Sequence, residues 1–157
     1  MPIVTPATPQ ELDDLEAQID AWLNKELDEN PVMVAVDRGE PDERRWYVRL
    51  VGEEKDFTTL WFRLAQRSLH VETYVMPAPE ENEADFYAHL LRRNLNMKGL
   101  TFAIGGENAV YLVGRLPLES FEVEQLDQVI GSAYMYVEQF FRPALQIGFA
   151  SRFARRP

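Results

Sequence analysis

The sequence predicts an α+β domain in which an antiparallel sheet, a meander plus a C-terminal hairpin, packs with three helices in the order α-β-β-β-β-α-β-β-α. The first observation is a pair of apolar runs, Leu100–Ile104 and Ala109–Leu116, joined by the turn Gly105-Gly106-Glu107-Asn108. Paired glycines between β-rich runs are typical of a hairpin, because glycine adopts positive φ without a steric clash. The second is a long apolar helical pattern from Ser120 to about Phe141, and the third is a series of alternating runs upstream.

The first element is a helix that starts after Thr8. Thr8 can cap it, a proline follows at the first helical position, and Glu11 stands where a capping box requires an acid. Apolar residues then recur at helical spacing: Leu12, Leu15, Ile19, Trp22 and Leu23. Pro31 disfavours helical geometry at the residue before it, so we expect the helix to end near Asp28.

Four β-like runs follow, at Val32–Val36, Trp46–Val51, Thr58–Leu64 and Leu69–Met76. Their short connections favour antiparallel neighbours. The alternation gives one apolar face that we expect to pack against helices. The other face interleaves charged residues with three aromatic residues, Tyr47, Trp61 and Tyr74, and also carries His70 and Met76. Two interpretations stay open: a second helix or the twist of the strands covers this mixed face, or it is a partner surface.

Helix two is expected from about Glu83 to Asn94. Its acidic residues precede its basic ones, Arg92 and Arg93, which matches the helix dipole. Asn94 or Asn96 can form the C-terminal cap.

Helix three is expected to begin at Ser120, which can cap it, and to kink or end at Pro143. Its second half is apolar nearly all round and includes Tyr134, Met135 and Tyr136. A helix of this kind is usually buried on two sides. One side is the sheet, and the other is helix one or a second copy of the protein.

The length of 157 residues predicts a single domain, 1–157, with flexible tails at 1–7 and 151–157. The absence of cysteine excludes disulfides and thiolate metal sites. No apolar run is long enough for a membrane helix, and the N-terminus does not have the pattern of a secretory signal. We therefore expect a cytoplasmic protein that does not bind membranes.

The formal net charge of −10 lies entirely before residue 44, since acidic and basic side chains balance in the rest of the chain. An acidic surface repels phosphate backbones, so we expect no binding to nucleic acid, including by the short basic C-terminal segment. The asymmetry suits solubility, or a surface that meets a basic partner.

Catalytic motifs are missing. Asp85 and His89 stand four residues apart on helix two, which suits a surface pair better than half of a catalytic dyad. His70 is expected to be a polar neighbour across two strands. The sequence has no zinc-ligand spacing, calcium loop, phosphate loop or nucleophile elbow. We therefore predict a non-enzymatic protein without catalytic, cofactor-binding or metal-binding residues.

Three segments carry a family resemblance: Leu90–Asn94, Phe102-Ala103 and Val110–Leu118. Together they resemble the YbjN-like family, bacterial proteins that are common in actinobacteria and described as sensory transduction regulators. The run Trp46–Glu53 resembles the start of the family pattern, so the likeness extends from there to about Phe149. Its polar positions in this chain are Arg92, Arg93, Asn94 and Arg115.

The resemblance implies the fold of type III secretion chaperones, with the run Val32–Val36 as an extra strand of the meander. It also implies a homodimer that binds partner proteins and has no enzymatic activity. The polar motif positions are then structural, with Asn94 as a helix cap and the arginines as dipole partners or in salt bridges.

Our functional hypothesis is a homodimeric, chaperone-like or regulatory module that binds an unidentified protein client. The candidate interaction surface consists of Tyr47, Trp61, Tyr74, Tyr134, Met135 and Tyr136. The alternative is a small-molecule-binding domain or an unfamiliar enzyme, with a pocket between helix two and the sheet near His89, Arg92 and Arg93.

Overall fold

The computed structural model of the protein describes residues 6–154, with only the backbone of Ala154. The helices and strands follow the predicted order, with one short helix added at the end. They are α1 Pro9–Glu29, β1 Met33–Arg38, β2 Arg45–Val51, β3 Phe57–Leu64, β4 Ser68–Met76, α2 Glu83–Asn94, β5 Thr101–Ile104, β6 Val110–Pro117, α3 Gln125–Gly148 and α4 Ala150–Ala154.

The six strands form one antiparallel sheet in the order β1-β2-β3-β4-β6-β5. The predicted α+β class, with a meander and a C-terminal hairpin, is confirmed. The hairpin is added with β6 beside β4, so that β1 and β5 form the two edges. Its turn places Glu107 and Asn108 at a φ of 58°, and asparagine tolerates this left-handed region better than most residues.

One face of the sheet packs into the hydrophobic core. Trp46, Val48, Leu60 and Phe62 are fully buried on it, as the alternation predicted. Met76 was expected on the opposite face, but it is also buried. The reason is a shift of register between Tyr74 and Met76 in the β4–β6 pairing, which interrupts the alternation at the end of β4.

Helix α1 starts with the predicted capping box. The backbone N–H of Glu11 donates to Thr8 Oγ1 at 3.1 Å, and the backbone N–H of Thr8 donates to Glu11 Oε1 at 2.9 Å. The helix buries an apolar stripe, and its acidic residues are exposed or partly buried. Part of this acidic side pairs with Arg38 and Arg44, which follow in the chain.

Helix α3 differs from the prediction at both ends. It starts at Gln125, because Leu118 and Phe121 turn into the core and hold the intervening chain in a short 3-10 turn that contains Ser120. Ser120 is therefore not its cap. Pro143 does not end the helix, which continues to Gly148. The burial of Ala144, Gly148 and the next residue, Phe149, favours the helical path beyond the proline.

The sequence predicted a flexible tail from residue 151, and the described part of this segment has helical secondary structure. Residues 150–154 form α4, and Arg152 Nε donates to Glu80 Oε1 at 2.5 Å. The backbone N–H of Ser151 donates to Glu81 Oε1 at the same distance. The rest of the two expected tails, residues 1–5 and 155–157, lies outside the described residues.

Candidate protein-binding surfaces

The first candidate surface is the face of the sheet opposite the core, which we call the open face. Three of the six candidate residues lie on it. Trp61 and Tyr74 are each 44% exposed, and Tyr47 is half-buried. Tyr47 packs edge-on against Trp61, with ring centroids 5.4 Å apart, and Tyr74 packs in the same way against Tyr111 at 5.7 Å. The sheet therefore carries two aromatic pairs towards solvent.

A row of basic side chains crosses the open face beside these pairs. Arg45 is the cross-strand partner of Arg63, Arg63 that of His70, and His70 that of Arg115. Arg63 Nη2 donates to His70 Nδ1 at 3.3 Å. Partial burial lowers the pKa of His70 below its usual value, and the charges of Arg63 and Arg115 lower it further. His70 is the polar cross-strand neighbour that the sequence predicted.

The three candidate residues on α3 do not form one surface. Met135 is exposed and lines a groove with Leu100 and Leu116. Tyr134 lines a different, smaller cavity on the α1 side of the helix. Tyr136 is only 9% exposed, and its hydroxyl accepts a hydrogen bond from the backbone N–H of Lys98 at 2.9 Å. The structure therefore places Tyr136 in the core rather than on an interaction surface.

The polar positions of the sequence motif have separate structural settings. The side chain of Asn94 bonds both backbone groups of Phe102: its Nδ2 donates to the carbonyl at 3.1 Å, and its Oδ1 accepts from the N–H at 2.7 Å. Leu95 takes the C-cap position instead. Asn94 therefore attaches α2 to the edge strand β5 and does not cap the helix.

The motif arginines have no ion pair among residues 6–154, although salt bridges were expected for them. The guanidinium of Arg93 lies over the ring of Phe140, 5.7 Å from its centroid. Arg92 is exposed on α2, and Arg115 lies on the open face. Arg92 and Arg93 do occupy the last turn of α2, where the helix dipole favours positive charge.

An apolar stripe on the outer side of α2 was not singled out in the sequence. We call Ala84, Ala88, Leu91 and Leu95 the α2 stripe; their spacing places them on one side of a helix. Leu91 is 67% exposed and Leu95 is 85% exposed. The repeat of these four positions is the signal that could have revealed the stripe.

The structure brings no catalytic constellation together around His89. Arg93 Nη2 donates to His89 Nδ1 at 3.4 Å, and partial burial, Arg93 and Arg92 lower the pKa of His89. No group of three potential metal ligands is present within residues 6–154. Three cavities formed by described residues lie away from the pocket expected between α2 and the sheet; the largest, about 540 Å³, lies between α3 and the β5–β6 region.

Comparison with known proteins identifies the family to which the chain belongs. Residues 17–146 match the family model YbjN, whose description is "Putative bacterial sensory transduction regulator". The chain belongs to the YbjN family. Within the described residues of this YbjN chain, no helix is long and apolar enough to span a bilayer.

Among curated proteins, this YbjN chain is 34% identical over 107 residues to an uncharacterized protein of Mycobacterium leprae, covering 68% of this chain and 58% of the relative. It is 32% identical over 108 residues to an uncharacterized protein of Mycobacterium tuberculosis strain H37Rv, covering 69% of this chain and 59% of the relative. The chain therefore matches about three fifths of the length of these relatives.

Among solved structures, the YbjN chain is similar to the Yersinia pestis type III secretion chaperone SycH in complex with a stable fragment of YscM2. The TM-score is 0.51 at 13% identity, covering 78% of this chain and 96% of that one. A chain of the ExsC–ExsE complex gives a TM-score of 0.53 at 15% identity, covering 82% and 94%. These similarities show a type III secretion chaperone-like fold.

Proposed function

We propose that this chain is a non-enzymatic, cytoplasmic protein-binding module with a chaperone-like or regulatory role, and that it works as a homodimer. The observation that carries the proposal is the α2 stripe, where two leucines are largely exposed beside two alanines. The family description and the protein complexes named for the two similar structures support a role in binding proteins.

The α2 stripe is complementary to a second copy of itself. Its small residues lie in the N-terminal half of the helix and its large residues in the C-terminal half. In an antiparallel pair related by a two-fold axis, Ala84 packs against the partner's Leu95, and Ala88 packs against the partner's Leu91. Small residues opposite large ones let two helices approach closely and bury the leucines, and a two-fold axis closes the assembly at two copies.

The charges of α2 favour the same antiparallel orientation. Asp85 lies in the first turn and Arg92 in the last turn. The two residues are seven apart, so they flank the stripe on the same side of the helix. A two-fold antiparallel pair brings these flanks together and places Asp85 of one copy near Arg92 of the other. In a parallel two-fold pair, the same flanks of the two helices lie on opposite sides of the interface, so Asp85 and Arg92 of the two copies would not meet.

The test is the mass in solution, measured by light scattering over a wide range of protein concentration. We expect the unmodified protein to be a dimer that persists on dilution. The double substitution Leu91→Glu and Leu95→Glu should give a monomer with an unchanged circular dichroism spectrum, because both side chains are exposed in the single chain and charge cannot be buried in an apolar interface.

The matched control introduces the same two charges on α1, by Ala17→Glu and Ala21→Glu, both at exposed helical positions. This control should remain a dimer. A monomer for the unmodified protein at high concentration would contradict the homodimer. A dimer for the α2 variant would exclude the stripe as its interface.

A further inference from the structure

We propose that the open face is a docking site for an acidic polypeptide segment that also carries an aromatic or aliphatic side chain. The proposal rests on the protein-binding function above and names the class of client. Two observations carry it: a row of basic side chains in which, among the described residues, only Arg45 has an ion-pair partner, and exposed aromatic side chains directly beside that row.

The basic row runs across four strands, from Arg45 on β2 through Arg63 and His70 to Arg115 on β6. Neighbouring strands lie about 4.8 Å apart, so the row is about 15 Å long. Among described residues, only Arg45 has an ion-pair partner, Glu43 at 3.5 Å; neither Arg63 nor Arg115 has a carboxylate within 4.0 Å. Like charges on neighbouring strands destabilise a sheet, and an anionic ligand would remove that cost.

His70 completes the row as a neutral donor. Because a guanidinium can only donate hydrogen bonds, the contact from Arg63 makes His70 Nδ1 an acceptor and assigns the imidazole proton to Nε2. The Nε2–H group and the two flanking guanidinium groups then offer hydrogen-bond donors to carboxylates. An extended peptide that crosses the strands would direct alternate side chains to the row, with a spacing of about 7 Å.

The aromatic side chains give the same face an apolar contact area. Tyr47 on β2 is the cross-strand partner of Trp61 on β3. This pair lies two residues from the pair of Arg45 and Arg63. Exposed aromatic side chains with neighbouring arginines are the residue types enriched at the centres of protein interfaces. The ligand should therefore combine carboxylates with at least one large apolar side chain.

A polypeptide suits this face better than a nucleic acid. Glu72 lies in the middle of it, directly opposite Trp61 and Val113; a peptide can place an uncharged side chain there, whereas a nucleic acid carries a charge at every phosphate. The whole chain has a net charge of −10, and nucleic-acid affinity depends mainly on an excess of lysine and arginine. Residues 1–5 and 155–157 have no acidic side chain, so neither segment supplies the ligand.

The experiment measures fluorescence anisotropy of labelled synthetic peptides at physiological salt. The acidic probe has the repeating sequence Glu-Ser-Glu-Ser-Trp-Ser, so that its Glu and Trp side chains point to the same side of an extended chain. Two matched probes replace every Glu with Gln or with Lys, and oligothymidylate is the nucleic-acid probe. We expect the protein to bind the acidic probe best. Arg63→Glu with Arg115→Glu should weaken that binding by at least about tenfold, because each charged hydrogen bond contributes roughly a factor of ten.

The control variant, Lys25→Glu with Arg67→Glu, makes the same change in net charge at exposed positions outside the row, and it should bind the acidic probe like the unmodified protein. If Arg63→Glu and Arg115→Glu impair folding, the pair Arg63→Gln and Arg115→Gln removes the charges without reversing them and should show the same loss.

The outcomes separate this proposal from the function on which it rests. Equal binding of the Gln or Lys probe, unaffected by the row variants, would overturn the acidic client and leave protein binding intact. Preferred binding of oligothymidylate would overturn the polypeptide ligand. If no peptide binds and light scattering shows a dimer, the result contradicts the docking site alone. If no peptide binds and the protein is a monomer, the result contradicts both proposals.

Discussion

At the level of single residues, some side chains of this YbjN protein bond to a different helix or strand from the one on which they lie. Asn94 ends α2, yet it bonds the N–H and the carbonyl of Phe102 on the edge strand β5. From sequence we expected a cap, because asparagine favours helix ends and local partners. The bonds to β5 depend on how the helix is placed against the sheet, which helical spacing does not report.

Replacing Asn94 with alanine should lower the free energy of unfolding by about 1–3 kcal/mol, since two hydrogen bonds are lost and two backbone groups of Phe102 lose their side-chain partner. Urea denaturation with an unchanged m-value is the measurement. Asn96→Ala, at an exposed position in the turn that follows, is the control and should be close to neutral. A loss at Asn96 as large as that at Asn94 would contradict the specific role of Asn94.

His70 makes stability depend on pH. Its pKa in the folded protein is lowered by partial burial and by Arg63 and Arg115, whereas in the unfolded chain it is near 6.5. The unfolded state therefore binds more protons as the pH falls below about 7, and the free energy of unfolding decreases towards acid. The stabilisation is present above the unfolded pKa and is lost as the pH falls through the folded one.

His70→Gln should make the melting temperature fall less steeply between neutral and mildly acid pH than it does in the unmodified protein. The melting temperature as a function of pH checks this. Part of the slope should remain, because the pKa of His89 is lowered for the same kinds of reason. A slope that is unchanged or steeper in His70→Gln would contradict the effect of the arginines on His70.

At the scale of elements, the sequence predicted most of the fold, because local signals and tertiary packing agree there. The capping box placed the start of α1, alternation placed the strands of the meander, and Gly105-Gly106 placed the hairpin turn. The errors lie where packing overrides a local rule. The burial of Leu118 and Phe121 delays the start of α3, and packing beyond Pro143 continues it.

Pro143→Ala tests whether tertiary packing overrides the unfavourable helix propensity of proline in α3. Proline inside a helix removes a backbone hydrogen bond and clashes with the preceding turn, and its helix propensity is about 3 kcal/mol worse than that of alanine. The substitution should therefore raise the free energy of unfolding by about 1–3 kcal/mol in urea denaturation, because the helix already continues to Gly148. A clear loss of stability would instead show that the proline geometry is needed for the packing of the last turns.

The candidate site was predicted less completely than the elements. Tyr47, Trp61 and Tyr74 lie together on the open face, because the period of two in a strand sorts faces reliably. Tyr136 was misplaced, because α3 is apolar nearly all round and spacing alone does not select its buried side. The α2 stripe was missed because alanines at two of its four positions make it weakly apolar.

At the scale of the whole molecule, the protein has two candidate binding surfaces, the α2 stripe and the open face of the sheet. In the two proposals, the α2 stripe would join two copies, and the open face of each copy would stay available to bind an acidic client segment. Among the described residues, acidic residues of α1 form ion pairs with Arg38 and Arg44 and not with Arg63 or Arg115 of the open face. Dimerisation would then present two identical docking faces to one client.

Disulfide cross-linking through α2 can detect the antiparallel homodimer, since the chain has no cysteine of its own. Ala84 and Leu95 are eleven residues apart, about 16 Å along a helix, so cysteines there cannot join within one chain. Mild oxidation of Ala84→Cys with Leu95→Cys should give a covalent dimer on a non-reducing gel, and each single variant should give none. Absence of cross-linking in the double variant, or equal cross-linking in a single one, would contradict the antiparallel α2 dimer.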